Sequence, residues 1–332
     1  MNKIRRRKFL LAAGTLLAIG RASFAQQPSK VWRIVFLTTS RPDSKTNEAD
    51  AYSAAFLREM QNTGHVFGVD YVVELRSFDD YERVPEKSGE GLLLNADIII
   101  PIGPTAVAVA YKGTKTVPIV CIGVHDPVGM RLVTSLAHPG GNLTGLATFY
   151  ADLVPKQLEL LKSIVSKVSR VAVLINAKVV NDAAADKRAF DAAQTLGLRL
   201  QVVPIDSTEQ LPKAFATIAR ERAGAVMILA DAMFVRERSR IADLALKHRL
   251  PSIFANRENV QAGGLVSYGE DFIEMFGQAA KYVSKIMKGA KPGDLPIEQP
   301  SKFLLTINRK TARALKLSIP QELLLRADMV IE

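Results

Sequence analysis

The sequence predicts an α/β protein of two Rossmann-like lobes, each built on a parallel sheet, and three observations predict it. Short apolar runs dense in Val, Ile and Leu recur along the chain with only weak alternation, the composition of strands buried on both faces. Amphipathic helical patterns separate these runs, which implies βαβ units. The alternation comes in two series, 31 to about 146 and about 151 to 264. Each series is worth four or five strands, and a single ten-strand open sheet is less usual. With 332 residues, 48% of them apolar, the chain can build two cores.

The elements follow in order. The first series has strand runs at "RIVFLTT", "DYVVELRSF", "ADIIIPIG" and "VPIVCIG". Helical patterns lie between and after them at 50–63, 81–94 and 105–112. "PGGNLTG" then turns the chain into a last strand before the first crossover. Its glycines permit a backbone path that other residues could not take. The second series has helical patterns at 154–165, 183–196, 208–222 and 234–248 around the runs "RVAVLINA", "LRLQVVPID", "AGAVMILAD" and "PSIFAN". After Gly264 come "LVSYG", a long helix at 271–288, a Gly/Pro-rich loop and "KFLLTINRKTARALKL". This tail holds too little strand to stand alone. The expectation is a discontinuous first lobe, 31–146 plus 270–332, and a second lobe at 147–269, with the helix at 271–288 packed on the first lobe.

The first 25 residues contain Lys3, Arg5, Arg6, Arg7, Lys8 and Arg21 and no acid, with an apolar run from Phe9 to Ile19. That pattern is an export leader cleaved after Ala25. The run is too short to span a bilayer, which needs about 20 residues. "RRKFL" fits the twin-arginine route and equally a general secretory signal with an arginine-rich start; both lead to the periplasm. The leader also carries most of the +11 charge. The remaining chain has 38 basic against 33 acidic residues, scattered rather than concentrated on a face, which excludes a nucleic-acid role. Cys121 is the only cysteine, so no intrachain disulfide forms. Its apolar neighbours predict a buried, inert thiol.

In open parallel sheets, ligands bind outside the carboxyl ends of the strands. The candidate ligand-binding residues follow the apolar runs: Thr39, Ser40, Thr105, Ala106, Asp126, Asn142, Thr144, Asn176, Asp231, Phe234 and Tyr268. "IGPTAVAVA" is a strand end followed by a helix start. Thr105 either caps that helix and nothing more, or its amide and those of Ala106 and Val107 hold an anion. Asp126 either starts a turn with Pro127 or binds a ligand ammonium; Asp231 poses the same choice in the second lobe. Met233 and Phe234 offer core or an apolar cleft wall. His125 has no second His or Cys at metal spacing, so neither metal nor cofactor is expected. There is no GxGxxG after a strand, no Walker A loop, no GxSxG elbow and no catalytic trio. A binder is expected rather than an enzyme.

The stretches "GPTAVAVA", "VPIVCIGVHDPVGMRLVTSLAHPGGNLTG", "KQLELLKSIV", "ALKHRLPSIF", "AGGLVSYG", "AAKYVSKIMKGAKPGDLPIEQPSKFLLTINRKTARALKL" and "RADMVIE" together resemble the substrate-binding proteins of ABC transporters, in the group related to tryptophan- and tyrosine-binding components. The resemblance covers almost the whole chain after the leader. It implies the type I periplasmic binding protein fold with three hinge crossovers, a small-molecule ligand, possible amino acid binding, and a permease partner in the inner membrane. A monomer is expected. Two loops depart from the family pattern: "AKVVND" replaces a loop with prolines and an asparagine, and Ala232 follows Asp231 where a proline is usual. Both lie on the ligand side of the second lobe, so the resemblance does not carry the ligand's identity over. A sensor module presenting its ligand to a receptor has the same sequence features as an importer component.

Overall fold

The computed structural model describes residues 30–39, 48–78, 91, 93–178 and 183–332. The leader, Ser40 and most of the helix expected at 81–94 lie outside the described residues.

The first series gives β1 (Trp32–Thr38), α1 (Glu48–Asn62), β2 (Tyr71–Ser77), β3 (Ile98–Pro101), α2 (Pro104–Gly113), β4 (Ile119–His125) and β5 (Leu143–Thr148). The second gives α3 (Tyr150–Ile164), β6 (Arg170–Asn176), α4 (Ala183–Thr195), β7 (Arg199–Ile205), α5 (Leu211–Arg220) and β8 (Ala225–Ile228). It continues with α6 (Ala232–Arg236), α7 (Arg238–Lys247), β9 (Ser252–Phe254), α8 (Arg257–Gln261) and β10 (Val266–Glu270). The tail holds α9 (Phe272–Met287), β11 (Ile297–Glu298), β12 (Phe303–Asn308), α10 (Arg309–Ala314), α11 (Gln321–Arg326) and β13 (Met329–Ile331).

Among the described residues the strands form two sheets. One has six strands in the order β11-β5-β4-β3-β1-β2, the other seven in the order β13-β12-β10-β9-β8-β6-β7. Pairing is parallel except between β10 and β12, which run antiparallel from Val266↔Ile307 to Glu270↔Phe303. The chain passes from the first sheet to the second after β5, returns after β10, and passes again between β11 and β12. These are the three crossovers of the type I periplasmic binding fold.

Aromatic packing seats α9 on the first sheet. Phe276 stacks on Phe36 of β1 with centroids 5.7 Å apart and on Tyr52 of α1 at 5.0 Å. Phe56 meets Phe36 edge-on at 5.1 Å. Polar contacts finish the seam: the His65 ring bonds the Ser284 hydroxyl at 2.9 Å, and Lys288 Nζ donates to the Thr63 carbonyl.

The rest of the tail corrects the expected boundary. β12 and β13 belong to the second sheet, so 303–332 is part of the second lobe, and the first lobe's share of the tail ends near the third crossover. The expectation treated the tail as one block because it lacked strands for a lobe of its own. In the structure each half completes a different sheet. Leu305 and Ile307 are buried with Val266 and Leu158 in the second lobe's core. Asn308 caps α10 through Thr311 N–H, and its amide donates to the Val260 carbonyl. The pattern expected as one helix at 234–248 is two, α6 and α7, meeting at Glu237.

Candidate functional site

The carboxyl ends of β1, β3 and β4 in the first lobe, and of β6, β8 and β9 in the second, are where the parallel strands present their loops. In the first lobe, Thr39 sits half-buried in the bend after β1. β3 runs into α2 through Gly103, the helix N-cap, whose φ of 81° suits glycine. Pro104 occupies the first helical turn, and Val107 N–H donates to the Gly103 carbonyl at 3.1 Å. Thr105 is therefore not the cap, and Val107 N–H is already used. The amides of Thr105 and Ala106 remain outside the helical ladder, as first-turn amides do.

Asp126 follows β4 with φ 38° and is exposed. Its Oδ1 accepts Gly129 N–H at 2.9 Å, and its carbonyl accepts Met130 N–H. The side chain closes a turn. Gly129 is small for the same reason, since a Cβ there would lie 2.0 Å from Asp126 Oδ2.

Asn142 and Thr144 lie at the wrong end of the sheet for a ligand. Asn142 precedes β5, a six-residue strand, and Thr144 is its second residue, so at about 3.3 Å per residue they stand roughly 20 and 13 Å from its carboxyl end. Asn142 Nδ2 donates to the carbonyls of Val117 (2.8 Å) and Thr114 (3.3 Å). The Thr144 hydroxyl donates to the Leu295 carbonyl at 2.8 Å. The pair pins the loop before β4 and the loop before β11. The glycine turn that singled them out feeds the start of β5, not its hinge end.

The structure does bring Asn176 and Asp231 together. Asn176 ends β6, and Asp231 follows β8 as the N-cap of α6. Asn176 Nδ2 donates to Asp231 Oδ2 at 3.2 Å, and Asn176 Oδ1 accepts Lys178 N–H. Asp231 Oδ1 accepts Met233 N–H at 2.8 Å. Burial pushes the Asp231 carboxyl above its usual range, against the opposing pull of those two hydrogen bonds and of Arg236.

Phe234 is core, not cleft wall. It is 1% exposed among Leu174, Phe215, Ile241 and Phe254, and its carbonyl accepts the Asn259 amide. Tyr268 sits mid-strand in β10, tilted against Phe303 with centroids 6.0 Å apart, and Phe303 in turn meets Phe149 at 6.1 Å. It belongs to the root of the crossovers. Cys121 is fully buried and its thiol is pushed up to about 12 by burial, as an inert core group.

Two acids at the second crossover, Glu270 and Asp271, carry roles that the sequence did not assign. Glu270, 9% exposed, accepts Phe149 N–H at 2.6 Å and so ties the second crossover to the first. Burial pushes its carboxyl up to about 7. Asp271 caps α9 through Ile273 and Glu274 N–H and also receives Arg257 of α8. The available signal was the acid pair in "YGED", set between a strand run and a helical pattern. A cavity of about 100 Å³ lies beside the third crossover, lined in part by Leu146, Met275, Glu298 and Lys302. It is too small for a drug-sized ligand. Among the described residues, no group of three His, Cys, Asp or Glu is placed to hold a metal. No helix there is long and apolar enough to cross a membrane.

Two lobes on mostly parallel sheets, joined by three crossovers, define the class of fold to which this chain belongs. Residues 93–331 match the family described as ABC transporter substrate binding protein, and the chain belongs to that family. A tyrosine-binding protein of Clostridioides difficile (strain R20291) is 23% identical over 267 residues, covering 80% of this chain and 76% of that protein. The fold is shared with a conserved domain protein from Vibrio cholerae at a TM-score of 0.81 and 24% identity, covering 91% of this chain and all of that one. It is also shared with an ABC domain from Streptococcus pneumonia, solved in complex with L-Trp, at a TM-score of 0.79 and 23% identity with the same coverage.

Proposed function

We propose that this substrate-binding protein is an exported receptor that closes its lobes on an amino acid and delivers it to an inner-membrane permease. The observation that carries the ligand class is Asp231. It is a carboxylate at a strand carboxyl end, desolvated more than its hydrogen bonds from Asn176 and Met233 offset. A ligand ammonium supplies the missing charge, and the Thr105 and Ala106 amides of the first lobe can donate to its carboxylate. The tyrosine-binding relative and the neighbour solved with L-Trp support the same class. The basic, then apolar, then small-residue order of the first 25 residues supports export to the periplasm.

Thermal unfolding of the chain from Gln26 onward tests the reading against L-Trp, L-Tyr, aliphatic amino acids, sugars and organic acids. Ligand at about 100 times its Kd adds ~2.7 kcal/mol of stability. A response to a sugar or a dicarboxylate with none to any amino acid removes the amino acid proposal.

A further inference from the structure

We infer that Arg257 and Asp271 form an inter-lobe latch that fixes the angle at which the two lobes meet, independently of ligand. The guanidinium grips the carboxylate with two hydrogen bonds, NH2 to Oδ1 at 3.1 Å and NH1 to Oδ2 at 3.3 Å. The side chains are only 18% and 22% exposed, so solvent screens the pair less than it would a surface ion pair.

Arg257 is fixed in the second lobe, and Asp271, the residue that follows β10, is fixed to the first turn of the helix that packs on the first lobe. Asp271 Oδ1 also accepts Ile273 N–H at 3.0 Å and Glu274 N–H at 3.2 Å, which locks the carboxylate to the first turn of α9. α9 in turn is packed on the first sheet through Phe276, Tyr282 and Val283. Arg257 opens α8, where Glu258 is 5% exposed with Oε1 3.8 Å from Arg257 Nε, and where the Asn259 amide donates to the Phe234 carbonyl. α8 lies on β10 and β12 of the second sheet.

Between the two frames lies only the exit of β10. Rotation of one lobe against the other must therefore change how the flat guanidinium meets the flat carboxylate. A two-bond fork tolerates such rotation less than a single contact does.

The test uses ligand-free protein carrying spin labels at Gln61→Cys in the first lobe and Lys247→Cys in the second, both exposed; buried Cys121 does not take label. Pulsed EPR reads the inter-lobe distance distribution. The latch predicts one narrow distribution for the parent, a shifted or broadened one for Arg257→Ala and Asp271→Asn, and an intermediate one for Arg257→Lys, which keeps the charge and loses the fork. Asp271→Asn separates latch from cap, because asparagine caps a helix as well as aspartate does. The cap then keeps the helix and the fold while the distance distribution changes. Folded Asp271→Asn and Arg257→Lys proteins with the parent distribution overturn the latch, and they decide the matter even where Arg257→Ala fails to fold.

Discussion

Substituting Glu270 by Gln should flatten the pH dependence of this protein's stability between pH 4.5 and 7. Glu270 ends β10 with its side chain inside the hinge, and burial lifts its carboxyl from 4.5 to about 7 although Phe149 N–H bonds the carboxylate at 2.6 Å. In that window the folded protein binds a proton that the unfolded chain has released. Stability therefore falls as pH rises through the window, and the loss is complete above the folded value. A separation of about 2.5 units at 1.36 kcal/mol each puts the loss at roughly 3 kcal/mol. Glutamine keeps a carbonyl for Phe149 N–H and cannot ionise. It also adds a second N–H that the site must satisfy, so the comparison rests on slopes and not on absolute stabilities. Urea unfolding followed by circular dichroism at several pH values from 5 to 8 reads both proteins. The parent should lose up to roughly 3 kcal/mol more than Glu270→Gln across the range. Parallel profiles would mean that water or a nearby cation reaches Glu270 and that burial does not govern its charge.

Asp231→Asn keeps the cap on α6 and removes the charge, so it should fold normally yet lose about 2–5 kcal/mol of amino acid affinity by calorimetry; undiminished affinity would leave Asp231 as a helix cap alone. Asp126→Ala should leave affinity unchanged and cost about 1 kcal/mol of stability, because the exposed carboxylate serves a turn. Gly269→Ala should destabilise by about 1–3 kcal/mol in thermal melts, since a Cβ there would lie 2.0 Å from the Ala255 carbonyl oxygen. Lys at both Arg6 and Arg7 should stop periplasmic accumulation where the twin-arginine route is in use, and unchanged accumulation on fractionation would assign export to the general secretory route.

The strands were legible because parallel sheets buried on both faces must be written as near-continuous apolar runs: Ile98, Ile99 and Ile100 of β3 are all fully buried. The meeting of Asn176 and Asp231 follows the same logic, since residues just beyond such runs gather at the carboxyl edge of the sheet. Phe234 was misread because position after a strand does not say which side of a short helix turns inward; α6 turns it into the core. Asn142 and Thr144 were misread because the turn that flags them gives no direction along the sheet. Glu270 and Asp271 gave only a local signal, an acid pair before a helix. Their roles depend on Phe149 and Arg257, 121 and 14 residues away, and no spacing rule reaches that far.

The same distant contacts explain why the second crossover has the residues it has. Gly269 lies against the Ala255 carbonyl with no room for a Cβ, so β9 and β10 leave the sheet in close contact. Two residues past Ala255 stands Arg257, and two residues past Gly269 stands Asp271, so the tight exit is what brings a guanidinium on one lobe to the helix cap of the other. Glu270, between glycine and cap, turns the opposite way and takes the first amide of the neighbouring crossover. One short segment thus serves as strand end, helix start and fastening for two chain passages. Its consecutive acids are divided between burial, which leaves Glu270 sensitive to pH, and ion pairing, which leaves Asp271 sensitive to the angle between the lobes.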